Sequence, residues 1–429
     1  MKRTLMCMAF GAGIVYGATA QQHLFVVKTE QDIPYRIPAI ATNSDGDLIT
    51  VVDYRHCRSD IGCIHNGRID LRARISTDNG KKWQPIFTIV EGQGEQSPDF
   101  MHVGFGDPAI VADRESSEVL VISCAGNVSF PAGRRNNHQN MVRFYSHDNG
   151  RTWSAPDDMA ESIYKQFDNS PIGPAEAIFV ASGRILQSRH IKTDRYYRLY
   201  CAVLMTGNQG RRVNFVLYSD DFGRSWQVLG GTGIAAIRQG ADEAKVEELP
   251  DGNIVISSRV MGGRKFNIYT FTEGSTSKGC WGEEAFSGES NGGVTAKGNS
   301  CNGEILVVPA QRKADGEKVH LLLQSVPSGP GRSCVGIYYK ELTTAADYAT
   351  PQAIAEKWDG YFPVTTLGSA YSTMCLQDNK RIAFLYEEET FCTYKGGGFT
   401  IVYDDYTLEE ITQGAYRIGK TKIPEKKKR

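Results

Sequence analysis

The stretch SHDNGRTW, residues 146–153, sets a serine, an aspartate, a glycine and a tryptophan in a fixed eight-residue frame. The same frame recurs as STDNGKKW at 76–83 and as SDDFGRSW at 219–226, so the copies begin 70 and 73 residues apart. Serine and aspartate side chains can bond the backbone N–H groups of a tight turn, and glycine can adopt a positive φ. The tryptophan can then start the next strand and pack under the turn. We therefore expect a structural turn in each of several similar units, far from any reacting group.

The sequence between these copies has the pattern of short β-strands. Runs such as RVNFVLYS (212–219) and NIVISSR (253–259) are separated by Gly, Asp, Asn and Pro, and almost no helical periodicity is present. A period near 70 residues suits a four-stranded propeller blade with long loops. A weakened copy of the frame, STSKGCW, lies at 275–281. We expect residues 21–420 to form one all-β, six-bladed propeller with four antiparallel strands per blade.

The two ends of the chain differ in composition from the rest. Residues 1–20 combine Lys2 and Arg3 with an apolar run and a small-residue Ala18-Thr19-Ala20 site, which is typical of a secretory signal peptide. This predicts export to the periplasm or beyond. Residues 421–429 form a basic, solvated tail. The sequence between these ends has no run of eighteen apolar residues, so we expect no membrane insertion.

The bulk composition excludes several functional classes. Lys plus Arg (48) nearly balances Asp plus Glu (49), so no nucleic-acid partner is indicated. The ten cysteines form no CxxC pair and the eight histidines show no paired spacing, so we expect neither a metal nor an organic cofactor. Cys57 and Cys63 are close enough in sequence to form a disulfide, although spacing alone does not decide it. The oligomeric state is left open.

A second motif, YRIP at 35–38, precedes the repeated turns. Turns of this form are called Asp boxes, and together with YRIP they resemble the bacterial sialidases (neuraminidases) over nearly the whole mature chain. That resemblance implies a six-bladed propeller. It also implies an exo-α-sialidase that removes terminal sialic acid from glycoproteins, glycolipids or oligosaccharides, with retention of configuration.

Arginine is the residue that such a substrate requires, because sialic acid carries a carboxylate on its anomeric carbon. Planar, permanently charged guanidinium groups hold a carboxylate best. The family uses three arginines, and the resemblance places them at Arg36 in YRIP, at Arg259 after the strand-like run IVISS, and at Arg332 in SVPSGPGRSCVG. Arg312 lies near enough in the sequence to be an alternative to Arg332.

The family also places an acid on a loop shortly after the first arginine. Asp60 in DYRHCRSD fits this position, and Arg55 is available as a further ligand contact. Asp60 would protonate the leaving oxygen and then deprotonate water. Asp53 is the competitor, but its place at a strand end suggests that it orients Arg55. Asp107 in GFGDPAI matches a substrate-side carboxylate, or else it is a turn aspartate before proline.

Tyrosine is the nucleophile that the resemblance implies. A neutral phenol can approach an anomeric carbon that already carries a carboxylate, provided that a base takes its proton. Tyr371 in GSAYSTM has small neighbours, and its base would be Glu243 in ADEAKVEEL, with Glu247 and Glu248 as alternatives. Glu387 would brace Arg36, or else it is a charge on an edge strand.

Two other functional classes share parts of this pattern. A trans-sialidase, intramolecular or not, would use the same reacting residues and differ in how well water is excluded from the acceptor site. A non-catalytic propeller that binds glycans can also carry Asp boxes. It does not need Tyr371, Glu243 and Asp60 in addition to the arginines, so the residues favour an enzyme that acts on sialylated glycans.

Overall fold

Six small antiparallel sheets make up the structure, a computed structural model that describes residues 21–29, 31–207, 210–273, 275–389 and 399–419. They follow one another along the chain as the blades of a propeller, so the predicted six-bladed all-β fold is confirmed. The predicted signal peptide (1–20) and basic tail (421–429) lie outside the described residues and stay predictions.

The strands of the first half of the chain build three blades. Strand β1 (Gln22–Phe25) belongs to the last blade of the ring. Blade 1 contains β2 (Tyr35–Thr42), β3 (Leu48–Arg55), β4 (Ile69–Ser76) and β5 (Phe87–Val90). Blade 2 contains β6 (Phe105–Ala112), β7 (Val119–Ala125), β8 (Asn140–Ser146) and β9 (Asp157–Asp158). Blade 3 contains β10 (Ala177–Val180), β12 (Leu186–Thr193), β13 (Tyr196–Thr206), β14 (Arg212–Ser219) and β15 (Gln227–Val228), while the intervening β11 (Gly183–Arg184) pairs with β6 of blade 2.

The second half of the chain builds the other three blades. Blade 4 contains β16 (Ala244–Glu248), β17 (Ile254–Val260), β18 (Gly262–Phe271) and β19 (Gly279–Trp281), with β20 (Ala285–Gly288) and β21 (Thr295–Ala296) added to β18. Blade 5 contains β22 (Ile305–Arg312), β23 (Lys318–Gly329), β24 (Ser333–Leu342) and β25 (Gly360–Pro363), extended by β29 (Tyr416–Ile418). Blade 6 contains β26 (Ser369–Leu376), β27 (Ile382–Glu388) and β28 (Thr400–Tyr406), and β1 completes it.

The predicted count of four strands per blade holds only for blades 1 and 6. The other sheets gain one or two short strands because a bent inner strand is split into pieces, as in blade 3, or because connecting segments add to an edge. Three short α-helices lie outside the sheets: α1 (Ala160–Phe167), α2 (Pro351–Ala355) and α3 (Leu408–Ile411). In the described part of the chain, no helix is long and apolar enough to cross a membrane.

The hydrophobic core lies between the faces of neighbouring blades. Strand β14 shows how the sequence produces it. Val213, Phe215 and Leu217 pack with α1 and blade 2, whereas Val216 and Tyr218, on the opposite face, pack towards blade 4. Because both faces of such a strand are buried, its sequence is apolar almost without interruption rather than strictly alternating.

The three complete Asp boxes share one hydrogen-bond pattern. In the second box the Ser146 Oγ donates to Asp148 (2.7 Å) and accepts from the Gly150 N–H (2.8 Å). Asp148 also accepts from the Thr152 N–H (2.8 Å), and the Trp153 indole donates to the Gly150 carbonyl (3.0 Å). The glycine has a φ of 88°, as the sequence predicts. The first and third boxes repeat these contacts.

Each box glycine also lies against another blade. A methyl group at Gly150 would come within 2.7 Å of Ile49 in blade 1. At Gly80 it would come within 2.2 Å of Tyr403 in blade 6, and at Gly223 within 2.3 Å of Leu120 in blade 2. The turn therefore seals the junction with the preceding blade, and glycine is required both for its positive φ and for close approach. The weakened fourth copy keeps Trp281, whose indole instead donates to the Leu229 carbonyl at 3.3 Å.

The boxes all lie at one edge of the propeller. Each follows the third strand of its blade and therefore stands at the edge where the first strand also ends. The edge where first strands begin and second strands end is the opposite one.

We predict that Asp148→Ala lowers stability by about 1–3 kcal/mol, because the N–H groups of the turn lose their acceptor. Burial raises the pKa of Asp148, but the hydrogen bonds from Thr152, Ser146 and the Arg151 N–H outweigh it and hold the pKa at about 2. The stabilising contribution is therefore complete above about pH 4 and is lost as the pH falls towards 2. Melting temperatures (Tm) across this range should show the wild-type and variant values converging at the acidic end.

Asp378→Ala is the matched control, because Asp378 is an exposed turn aspartate at the same edge of the propeller. We expect its Tm to stay within about one degree of wild type. A Tm difference for Asp148→Ala that is the same at pH 2 and pH 6 would contradict the assignment of the turn's hydrogen bonds to the charged aspartate.

Candidate active site

Tyr371 and Glu243 form a hydrogen-bonded pair at the edge opposite the Asp boxes. Tyr371 is the third residue of β26 in blade 6, and Glu243 directly precedes β16 in blade 4. The Tyr371 hydroxyl lies 2.8 and 2.7 Å from the two carboxylate oxygens of Glu243. Tyr371 is only 9% exposed. Burial and the negative charge of Glu243 raise the pKa of Tyr371 well above its usual value, so the phenol is neutral and its O–H donates a hydrogen bond to the carboxylate.

Arg259 holds this pair from the side. It stands near the end of β17, and its Nη1 lies 3.1 Å from the Tyr371 hydroxyl and 2.5 Å from the Glu243 Oε2. Its Nε donates to the Ser300 Oγ at 2.9 Å. A backbone hydrogen bond from the Arg259 N–H to the Glu243 carbonyl (2.9 Å) fixes the spacing of the two residues on neighbouring strands.

Arg36 lies on the other side of the Tyr371 ring and is braced by Glu387. The Arg36 Nε donates to Glu387 at 2.7 Å, and the same buried carboxylate accepts from the N–H groups of Ile37 (2.7 Å) and Tyr371 (3.0 Å). The guanidinium carbon of Arg36 stands 5.7 Å from the centre of the Tyr371 ring and 5.0 Å from that of Phe399. Glu387 therefore ties the first strands of blades 1 and 6 together.

Arg332 completes a group of three guanidinium groups around Tyr371. It lies in the turn between β23 and β24 with a positive φ of 63°, and its guanidinium carbon is 5.8 Å from the ring centre. Its Nε donates to the Ser300 carbonyl at 3.2 Å. The alternative, Arg312, ends β22 at the opposite edge, where it pairs with Asp315, Glu317 and Glu341.

Arg55 gathers three aspartates beside this group. Its Nε and Nη2 donate to the buried Asp53 (2.9 and 2.7 Å), its Nη2 also faces Asp107 (3.4 Å), and its Nη1 bonds Asp60. Asp53 further accepts from the Asp107 N–H at 2.9 Å. Asp53 thus orients Arg55, as its position at the strand end indicates. Asp60 instead reaches the mouth of the site with its side chain 70% exposed.

The three aspartates have different proton affinities. The charge of Arg55 lowers the pKa of Asp60, and the charges of Arg36 and Arg332 lower it further. Burial raises the pKa of Asp53 to about 6 despite its bonds to Arg55. Burial and the nearby charge of Asp53 raise the pKa of Asp107 well above its usual range. Asp60 is therefore the most acidic of the three.

Irregularities in the first strands orient several of these side chains. The register of β2 shifts between Arg36 and Ala39, that of β6 between Gly106 and Ala109, and that of β26 between Ser369 and Ser372. Ile37 and Asp107, which sit in two of these bulges, have positive φ values of 55° and 54°. Such bulges turn side chains out of the regular alternation of a strand, here towards the centre of the propeller.

The nine site residues predicted from the sequence thus lie at one edge, in two adjoining groups. Their individual roles stay predictions. The alternatives to Glu243 lie elsewhere: Glu247 pairs with Arg184 and Arg189, and Glu248 accepts from Ser188 and Arg189. Cys57 and Cys63 are free thiols, so no disulfide spans the Asp60 loop.

Sequence reasoning missed Ser300, which bonds Arg259 through its hydroxyl and Arg332 through its carbonyl. It also missed Asp242, whose carboxylate lies 3.7 Å from the Arg259 Nε. No local motif marks Ser300, which lies in a polar segment between β21 and β22. Among the described residues, no group of three or more His, Cys, Asp or Glu side chains could hold a metal ion.

Comparisons with known proteins agree with this arrangement. A family model for the BNR/Asp-box repeat matches residues 144–155. The chain is 28% identical to a sialidase of Micromonospora viridifaciens over 59% of this chain and 40% of that protein. It is 25% identical to a sialidase of Paraclostridium sordellii over 84% of this chain and 83% of that protein. It therefore spans about two fifths of the first relative and most of the second.

The fold also matches solved structures. The intramolecular trans-sialidase from Ruminococcus gnavus, in complex with oseltamivir carboxylate, superposes with a TM-score of 0.69 at 14% identity. The match covers 93% of this chain and 99% of that one. At this identity the likeness concerns the fold.

We predict that Glu387→Gln destabilises the protein by about 2–4 kcal/mol, because it leaves the partly buried Arg36 charge beside a neutral amide and weakens two backbone contacts. Urea unfolding at pH 7 measures the loss. Glu341→Gln is the control, since it weakens an ion pair at the opposite edge where Arg312 keeps two other acidic partners. We expect that control to cost less than about 1 kcal/mol. Equal losses in the two variants would refute the bracing role.

Proposed function

We propose that this chain, a member of the bacterial sialidase family, is an exo-α-sialidase that hydrolyses terminal α-linked sialic acid from glycans by a retaining mechanism. The observation that carries the proposal is the Tyr371 hydroxyl, 2.7–2.8 Å from the Glu243 carboxylate within a ring of three guanidinium groups. A purely glycan-binding propeller would have no use for a buried phenol paired with a base.

The three arginines suit the carboxylate of a sialic acid. Buried or neighbouring groups already hold part of each guanidinium: Glu387 holds Arg36, Glu243 and Ser300 hold Arg259, and the Ser300 carbonyl holds Arg332. Their planes are therefore fixed before the substrate arrives, and little side-chain entropy is lost on binding. A carboxylate held among them lies directly over the Tyr371 ring, which brings the anomeric carbon close to the hydroxyl.

The neutral phenol solves an electrostatic problem for the nucleophile. A carboxylate that attacked the anomeric carbon would approach the substrate's own carboxylate. Two unit charges about 4 Å apart repel by roughly 4 kcal/mol at an effective dielectric of about 20. Tyr371 instead approaches uncharged. Sialidases are the glycosidases known to use tyrosine in this role.

In the first step, the Tyr371 oxygen forms a bond to the anomeric carbon as the bond to the leaving oxygen breaks. Glu243 takes the phenolic proton, and the Arg259 Nη1 stabilises the charge that develops on the phenolic oxygen. Asp60 gives a proton to the leaving oxygen. In the second step, Asp60 takes a proton from water, which attacks the anomeric carbon and releases Tyr371, and Glu243 returns its proton to the phenol.

Asp60 is suited to the acid role by its position, although its pKa in this structure is low. Its carboxylate stands at the mouth, where a leaving sugar departs towards solvent. The cations that lower its pKa include Arg36 and Arg332, which the substrate carboxylate would neutralise. Binding of the substrate therefore raises the pKa of Asp60 towards the value that a proton donor needs.

Incubation of the purified protein with 3′- and 6′-sialyllactose, followed by mass spectrometry of the products, tests the proposal. We expect free sialic acid and lactose. A 2,7-anhydro product would indicate an intramolecular transfer reaction instead of hydrolysis. Sialic acid transferred to added galactosides would indicate an intermolecular transfer reaction instead. The absence of any cleavage between about pH 4 and 8 would leave a glycan-binding role and overturn the proposal.

We predict that Asp60→Ala reduces kcat/KM far more for sialyllactose than for an aryl sialoside. A nitrophenolate leaves without a proton, whereas a sugar alkoxide does not, so the loss for sialyllactose should be about a hundredfold greater. Asp53→Asn should instead impair both substrates alike, because it disturbs Arg55. Equal losses on both substrates in Asp60→Ala would assign the acid elsewhere, with the half-buried Asp107 next to be tested.

We predict that a 3-fluorosialosyl fluoride forms a covalent adduct on Tyr371, because the ring fluorine slows departure of the glycosyl group more than its arrival. Peptide mapping by mass spectrometry should locate the adduct. Tyr371→Phe should abolish labelling and lower kcat by about a hundredfold or more. Glu243→Gln should slow labelling without changing its position, and the double variant should be little worse than Tyr371→Phe alone.

Tyr361→Phe is the control for this experiment, because Tyr361 is also partly buried and hydrogen-bonded but lies on β25 at the outer end of blade 5. Its labelling should equal that of wild type. An adduct on any residue other than Tyr371, or full labelling of Tyr371→Phe, would refute the assignment of the nucleophile.

A further inference from the structure

Lys245 is a buried cation two residues after Glu243, one step further along β16 from the edge that carries the site. Its side chain is therefore on the same face of this inner strand as that of Glu243. Lys245 is 2% exposed, and its Nζ makes no hydrogen bond with any described residue. Gly183 packs against the ammonium group, where a larger residue would collide with it. Burying an ammonium group without a hydrogen-bond or ion-pair partner costs free energy. We therefore expect the charge of Lys245 to have a role.

The acidic residues around Lys245 do not neutralise its charge by direct contact. Glu304 is the nearest acid, and it already accepts hydrogen bonds from Thr373 (3.0 Å) and from the Arg184 N–H (3.2 Å). Burial lowers the pKa of Lys245, whereas the charges of Glu304 and Glu243 oppose that shift. Among the described residues Lys245 forms no ion pair within 4 Å.

We propose that Lys245 is a positioning residue for the Tyr371–Glu243 pair: its charge keeps Glu243 in the carboxylate form that can accept the proton of Tyr371. The catalytic consequence rests on the proposed function, since only a reaction at Tyr371 needs this base. The effect of the Lys245 charge on Glu243 is the same whatever reaction takes place at this site.

Glu243 needs such a cation because it is itself buried. A buried carboxylate is costly without a compensating cation, and only the carboxylate form of Glu243 can take a proton from the phenol. Arg259 also contacts Glu243, but its charge is shared with the substrate carboxylate once the substrate binds. Lys245 lies one step further along β16 from the edge that carries the site, away from the substrate, so its charge acts on Glu243 throughout the reaction.

Several other charged or titratable groups surround Glu243 and contribute to its protonation. Arg264 is a fully buried cation that bonds only Ser257 and the Cys301 carbonyl, and burial lowers its pKa to about 10. Glu304 acts in the opposite sense to Lys245. The groups that face Glu243 from its own and neighbouring elements are Asp242, Lys245, Arg259, Arg264, Tyr371, Cys301, Cys124 and Asp107, and Glu304 stands beside Lys245.

The first test is the pH dependence of kcat/KM for an aryl sialoside in Lys245→Met and Glu304→Gln. The acidic limb reports protonation of the base in the free enzyme. Loss of the positive charge should move that limb to higher pH by about one unit, and loss of the negative charge should move it to lower pH. On the acidic side of that limb we expect kcat of Lys245→Met to fall by up to about tenfold, the most that a shift of about one unit allows, with KM within twofold of wild type.

Two further variants separate charge from packing. Lys245→Arg restores the charge and should recover most of the wild-type pH profile. Lys340→Met removes another buried lysine, whose Nζ bonds the Glu356 carbonyl in blade 5, and should leave the profile unchanged. Thermal melting shows whether each variant is folded. If Lys245→Met does not fold, the Glu304→Gln shift to lower pH is the deciding measurement.

The second test needs no substrate. Selective ¹³C labelling of glutamate carboxyl groups gives a resonance for Glu243, identified by its loss in Glu243→Gln. Its titration midpoint should rise by about one pH unit in Lys245→Met and stay in place in Lys340→Met. A midpoint within 0.2 units of wild type, a limit set at roughly a fifth of the expected shift, would overturn the proposal even if the protein cleaves sialosides. A shifted midpoint in a protein without sialidase activity would support it and overturn only the proposed function.

Discussion

The hydrogen bond between Tyr371 and Glu243 joins residues 128 positions apart in sequence, on the inner strands of blades 6 and 4. It can form only when the ring of blades is closed. Closure depends on β1, at the beginning of the described chain, which pairs with β28 and completes blade 6. Glu387 adds a second tie, because one buried carboxylate accepts from Arg36 of blade 1 and from the Tyr371 N–H of blade 6. The candidate site is thus a property of the closed ring and of no single blade.

The two edges of the propeller differ in their local structure. At one edge the Asp boxes use serine, aspartate and glycine to close tight turns and seal the blades together. At the other edge the first strands begin with bulges, and residues such as Ile37 adopt a conformation that a β-branched side chain disfavours. Strain of this kind persists only when the surrounding structure over-determines it. The regular contacts between blades and the sealed turns supply that support from the far side of the sheets.

Sequence reasoning predicted the fold because its signals are local and repeated. The Asp boxes, the strand-like runs and the 70-residue period each follow from turn chemistry and side-chain alternation. It did not predict the added strands β20, β21 and β29, since such short edge strands depend on how connecting segments meet a finished sheet. For the site, Arg36 and Tyr371 stand in recognisable motifs. Ser300 and Lys245 do not, because their importance arises only when distant strands bring them beside Arg259 and Glu243.

In the proposed mechanism, the charges of the site explain why the acid, Asp60, is exposed and the nucleophile, Tyr371, is buried. Tyr371 and Glu243 need a dry environment, in which a short hydrogen bond prepares proton transfer and water cannot compete. Asp60 must change its protonation state twice and exchange protons with solvent, and its exposed position permits this. Its low pKa comes first from Arg55 and then from Arg36 and Arg332, the arginines proposed to bind the substrate carboxylate. In the proposed mechanism the substrate carboxylate therefore has two effects: it brings the anomeric carbon close to Tyr371, and it removes part of the positive potential that keeps Asp60 ionised. In the proposed mechanism, binding of the substrate carboxylate and activation of Asp60 are therefore coupled through the same charges. Asp60 then donates its proton only to ligands that carry the carboxylate.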